Sequence, residues 1–124
     1  MRFFLVAILI AGAARAATPE DWASAAVVES HDRIEQHWKV VRRPSDERMR
    51  AMRLIDMAPE NSDRRLKTRF EMLIKNDGTV AGRVIESSGV EAYDRAVLDA
   101  IGEYLYEPLD PAAPPPTYIL PFEM

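Results

Sequence analysis

Between residues 66 and 75 the chain alternates with period two. Leu66, Thr68, Phe70, Met72 and Ile74 fall on one side; Lys67, Arg69, Glu71, Leu73 and Lys75 fall on the other. A helix would scatter both sets around its axis. The pattern therefore restricts this stretch to a half-buried antiparallel strand with one face inward. Asn76-Asp77-Gly78 follows as a hairpin turn in which Gly78 supplies the positive φ of a short connection. The chain returns as a second strand over 79–86. Val80 and Val84 share a face while Ile85 falls on the other, and Ala81-Gly82 is the candidate bulge that re-aims the side chains.

Ser87-Ser88-Gly89 breaks this strand and is read as a turn that caps the next helix. That helix is expected over about 91–105. Tyr93, Val97, Ala100, Ile101 and Tyr104 make its apolar stripe, and Glu91, Arg95, Asp99 and Glu103 its polar side. Glu107-Pro108 stops it, and "LDPAAPPP" (109–116) is a stiff proline-rich connection. "TYILPFEM" (117–124) is the last strand, and Pro121, which donates no hydrogen bond, assigns it to a sheet edge. Strand, strand, helix, strand places the first strand centrally, the last beside it and the helix across one face. The fold class is α+β: a two-layer unit with a three-stranded, wholly antiparallel sheet and one packed helix.

Residues 17–65 read as a mostly helical N-terminal extension. Thr18-Pro19-Glu20-Asp21 is a helix start. Trp22, Ala26, Ile34, Trp38 and Val41 follow at roughly helical spacing, and Arg43-Pro44 ends the run. The stripe is thin between Val28 and Ile34, so part of the run is either irregular or extended over 36–42. Ser45 or Asp46 caps a shorter helix reaching about Met57, with Met49, Met52 and Ile55 on its buried side. Residues 58–63 are a loop by composition.

The start of the chain has the anatomy of a signal peptide: Met1-Arg2, then "FFLVAILIAGAA" (3–14), then Ala14-Arg15-Ala16, with cleavage after Ala16. The alternative is an uncleaved anchor, but the apolar run has twelve residues, where a span needs about 18–20. Cleavage takes two of the 16 basic residues and none of the 20 acidic ones, moving the formal charge from −4 to −6. An acidic domain is poorly suited to nucleic acid or anionic lipid, so contact with a membrane would come through the N-terminus alone, if it is uncleaved. Arginines at 42, 43, 48, 50, 53, 64 and 65 are interrupted by acidic residues and read as a solvated face with local ion pairs. The chain has no cysteine, which removes disulfides and thiolate metal sites.

The features over 66–124 resemble the C-terminal domain of the TonB family of periplasmic energy transducers. The carriers are Phe70 in its alternating strand, Asn76-Asp77-Gly78, Val80, Ser87-Ser88-Gly89, Asp94, Ala96, Ala100 and Tyr104-Leu105-Tyr106-Glu107-Pro108. The resemblance implies a periplasmic protein-binding module without catalytic groups, serving transport across the outer membrane. It also implies a use for the last strand: family domains add a strand from an outer-membrane receptor at such an edge. The partner-binding residues are then Tyr118, Ile119, Leu120 and Phe122. The same edge has a structural reading, in which residues 22–57 cover it or Pro121 blunts it. Transducers of this family also carry a membrane helix and a long proline-rich spacer, and this chain shows neither pattern.

The residues offer little else. His31 and His37, the two histidines, face away from each other on a helix and lack companion ligands. Ser87-Ser88-Gly89 is not a nucleophile elbow. No catalytic residue, cofactor or metal site is read. The leading function is an exported TonB-like adaptor. The alternative is an anchored transducer with an uncut N-terminus. A second alternative is an enzyme or small-ligand protein using a cleft between the first helices and the sheet, which requires a polar, pKa-perturbed cluster there.

Overall fold

The computed structural model describes residues 16–61 and 66–124. The expected signal segment, Ala16 apart, and residues 62–65, with Arg64 and Arg65 among them, lie outside the described residues. The elements in chain order are α1 (Pro19–Ala23), β1 (Ala26–Val27), α2 (His31–Glu35), β2 (Trp38–Arg42) and α3 (Asp46–Asp56). A 3-10 turn (Pro59–Asn61) leads to β3 (Arg69–Ile74), β4 (Val80–Glu86), α4 (Glu91–Ile101), β5 (Leu105–Pro108) and β6 (Tyr118–Glu123).

The alternation over 66–74 forms the strand it dictates. β3 pairs antiparallel with β4 on one side and with β6 on the other, and Phe70 stands opposite both Val84 and Phe122. Its inward set, Leu66, Thr68, Phe70, Met72 and Ile74, is buried throughout. α4 lays Tyr93, Val97, Ala100 and Ile101 into the same core.

The expected three strands are therefore present, but the sheet is larger. It has four strands in the order β1-β6-β3-β4, and β1 runs parallel to β6, so not all neighbours are antiparallel. A second sheet pairs β2 with β5. The two sheets meet at the hairpin, where the Tyr106 N–H donates to the Gly78 carbonyl at 2.9 Å and Thr79 bridges Leu105.

Two helix expectations are corrected. The long N-terminal helix is two five-residue helices separated by β1, and 38–42 takes the extended alternative. α4 stops at Ile101 with Gly102 as its C-cap, and Leu105-Tyr106-Glu107-Pro108 is strand. The extension also supplies core: Val28, Ile34, Trp38 and Met52 are buried with the sheet residues. The Trp38 indole N–H donates to the Pro116 carbonyl at 3.0 Å, tying β2 to the proline-rich connection. α3 begins at its Ser45 cap, and its Arg48 bonds Glu103 at 2.7 Å beyond the end of α4.

The bulge also lies elsewhere. Met72 faces Gly82 and Leu73 faces Ala81 in unbroken register, and the shift falls at Ile85, which is 51% exposed. Gly82 has a different purpose. A Cβ there would come within 3.0 Å of the Ile101 side chain and 3.1 Å of Leu98, so the missing side chain lets α4 approach β4.

The opposite face of the sheet is not wholly solvated. Leu73 and Ile119 are buried there. α1 reaches this face, its Trp22 ring 4.1 Å beneath the Arg83 guanidinium, and Arg83 is paired with Glu71 at 2.7 Å. α1 itself is started by the expected Thr18 cap, with Asp21 completing a capping box.

The start of α4 is tied to the Ser87-Ser88 turn through Asp94, not by a side-chain cap. Its N-cap is Val90, which makes no side-chain cap bond. The Asp94 carboxylate instead accepts from Thr68 Oγ1 at 2.6 Å, Ser88 Oγ at 2.8 Å, the Ser88 N–H at 3.0 Å and Ser87 Oγ. Burial alone pushes this carboxyl up; the hydrogen bonds from Ser87, Thr68 and Ser88 outweigh it and hold it at about 2.

Two tests follow from this geometry. Gly78 and Gly89 both have positive φ, but a Cβ on Gly78 would lie 2.0 Å from the Tyr106 carbonyl oxygen, whereas Gly89 has open space. Urea unfolding should show Gly89→Ala losing about 1 kcal/mol and Gly78→Ala at least about 2 kcal/mol more. For Asp94 the folded pKa lies below the ordinary one, so its contribution is complete above about pH 4 and disappears as pH falls toward 2. Asp94→Asn should be less stable at pH 7 by on the order of 1–2 kcal/mol, discounted for partial exposure, with the gap closing as the pH falls through that window.

Candidate functional site

The last strand is presented at a defined height. The proline-rich connection delivers Thr117 beside Pro116, whose carbonyl is held by Trp38, and β6 then runs along β3. Its backbone groups alternate between its two sides. Met124 exchanges both bonds with Thr68 at 2.8 and 2.9 Å, so even-numbered residues face β3. The carbonyls of Thr117 and Ile119 accept from the Ala26 and Val28 N–H groups at 3.0 and 2.9 Å, so odd-numbered residues face outward.

This settles where the four sequence-predicted residues lie. Tyr118 is 5% and Ile119 4% exposed, and β1 pairs with both. Leu120 and Phe122 are half-buried against the core, the Phe122 ring 3.9 Å from that of Phe70. Tyr118, Leu120 and Phe122 share the α4 side of the sheet, and Ile119 points to the other. The strand thus turns backbone groups outward, and its side chains secure it to its own sheet.

The outer edge is divided. Its first half is covered by β1, which is the covering that the structural reading places within residues 22–57. Among the described residues no strand pairs with the second half. There Pro121 turns outward without a donor, and Glu123 turns an N–H and a carbonyl outward. The Glu123 carboxylate is held by Lys67 at 3.5 Å and Arg69 at 3.8 Å. β1 is what sequence reasoning did not find. Two residues are too few to establish a period, and Ala26 also fitted a helical stripe.

The other candidate chemistry is dispersed. His31 Nε2 lies 2.8 Å from the Tyr106 hydroxyl, linking α2 to β5, and burial pushes that hydroxyl far up. His37 lies beside Tyr118, ring centres 6.0 Å apart. Ser87 and Ser88 donate to Asp94. Among the described residues no group of three or more Asp, Glu and His is placed to hold a metal, and no helix is long and apolar enough to cross a membrane.

A hollow of about 330 Å³ lies between the first elements and β6, lined by Ala26, Val27, Val28, Glu29, Ser30, Arg33 and Tyr118. The strongly shifted groups, Asp94 and Tyr106, do not line it.

A family model described as "TonB C terminal" matches residues 56–120, just over half of the chain. The match begins at the last residue of α3 and ends within β6. No curated protein and no solved structure matches the chain.

Proposed function

We propose that this chain, which belongs to the TonB C-terminal family, is an exported adaptor that binds an extended protein segment by strand addition at the outer edge of β6. Membership makes it a TonB-like protein-binding module of the Gram-negative envelope, related to transport. The finer reading adds the periplasm, cleavage after Ala16, a segment of an outer-membrane receptor as partner, and residues 66–124 as the partner-binding unit.

One observation carries it: β6 already accepts an added strand. The β1 segment bonds the outward carbonyls of Ile119 in β6 and of Thr117 just before it, and among the described residues β1 has no other strand neighbour. The edge is thus geometrically fit for augmentation, with backbone bonds supplying affinity. Tyr118, Ile119, Leu120 and Phe122 serve by holding the β6 backbone in place rather than by touching the partner with their side chains.

The test is a titration of the isotope-labelled intact chain with peptides from the periplasmic tips of receptors from the same cell. Amide shifts should concentrate on 117–123. Shifts confined to residues outside 117–124 would end the strand-addition reading. Glu123→Pro removes the outward donor past Pro121 at an edge position that tolerates proline. It should weaken binding about tenfold while leaving the unfolding midpoint nearly unchanged.

A further inference from the structure

The seat on β6 is filled in part by the chain itself, and the filling is slight. β1 has two residues, and its two neighbouring bonds to β6 come from Ala26 and Val28. Val27 between them is 65% exposed, whereas Val28 is 6% exposed and belongs to the core cluster. Two backbone donors two residues apart, with one apolar side chain turned inward, are what strand addition asks of a partner.

The segment is held from the far side of the sheet. α1 precedes it, stabilised by the Thr18–Asp21 capping box and by Trp22 under Arg83. These are few contacts beside the six register pairs that join β6 to β3. β1 is therefore the part of the sheet best suited to open locally while the rest stays folded.

We infer that residues 24–28 are an intramolecular stand-in for the partner strand, and that binding is an exchange. An extended segment with an apolar side chain at the position of Val28 replaces β1 on the Thr117 and Ile119 carbonyls and continues toward Glu123. This rests on β6 being the partner's seat. The apparent affinity is then reduced by the fraction of molecules in which β1 is closed.

Trp22→Ala and Arg83→Ala loosen the hold from its two sides without touching β6. In the intact chain, amide hydrogen exchange reads the result. The Ile119 amide, turned toward β1, should exchange about tenfold faster in both variants. The Leu120 and Phe122 amides, turned toward β3, should stay as protected as before. A synthetic peptide of residues 24–30 is the binding probe, and it should bind each variant about tenfold more tightly than the unsubstituted chain.

Ile119 exchanging together with Leu120 and Phe122 in all three proteins would overturn the inference, because β1 would then open only with the whole sheet. Equal binding of the probe to all three would overturn it as well. If the probe binds the variants and receptor-tip peptides do not, β1 stands as an exchangeable strand and the receptor reading alone fails.

Discussion

β3 is the strand on which the rest of the structure depends. It bonds β6 through one set of residues and β4 through the other along its whole length. It buries Phe70, Met72 and Ile74 on one face and Leu73 on the opposite face. A slip of one residue would exchange those aromatic and aliphatic side chains with Arg69 and Glu71, so the register admits no neighbouring alternative. The hairpin, the seating of α4 and the height of β6 all follow from that register. The Gly78 carbonyl then anchors the second sheet through Tyr106.

The parts legible in the sequence are those with a period or a strong local signal. The alternation of 66–74, the turn at Gly78, the caps at Thr18 and Ser45 and the α4 stripe as far as Ile101 are where their residues put them, while Tyr104, read into that stripe, lies beyond the helix. The parts that were not legible are short or ambiguous. β2 places Trp38 and Val41 at a spacing that also fits a helix, and packing of Trp38 in the core decides for strand. β5 continues the polarity of α4 past Gly102, and its identity depends on a partner about 65 residues upstream, which local signals cannot report. The edge was legible as an edge, but what covers it was not. Leu73 reads as an exception in a polar row because its neighbours across the sheet, Ala81 and Ile119, come from other strands and leave no local trace.

The extension and the family-like unit are complementary in their edges. A sheet of β6, β3 and β4 alone would expose two rows of unpaired backbone groups. Residues ahead of it cover one side in part, β1 lying on β6, while the ribbon of β2 and β5 meets the hairpin at Thr79, just ahead of β4. Pro121 and the bulge at Ile85 interrupt what remains. The backbone left unpaired on β6 is therefore short, which suppresses non-specific pairing along a long flat edge.

The bond between the Trp38 indole and the Pro116 carbonyl, 78 residues apart, bears on how the chain folds in time. Together with the pairing of Ala26 to Tyr118, it makes β1 and β2 wait for the C-terminal part of the chain. Such distant closures slow folding, because the loop entropy is lost before the contact forms. A chain emerging from a ribosome or a translocation pore could complete its local hairpin and α4 while these two closures remained open. Its final assembly is thus deferred until the C-terminal strand is free, and a chain shortened by the last few residues would lack the partner on which its opening segment settles.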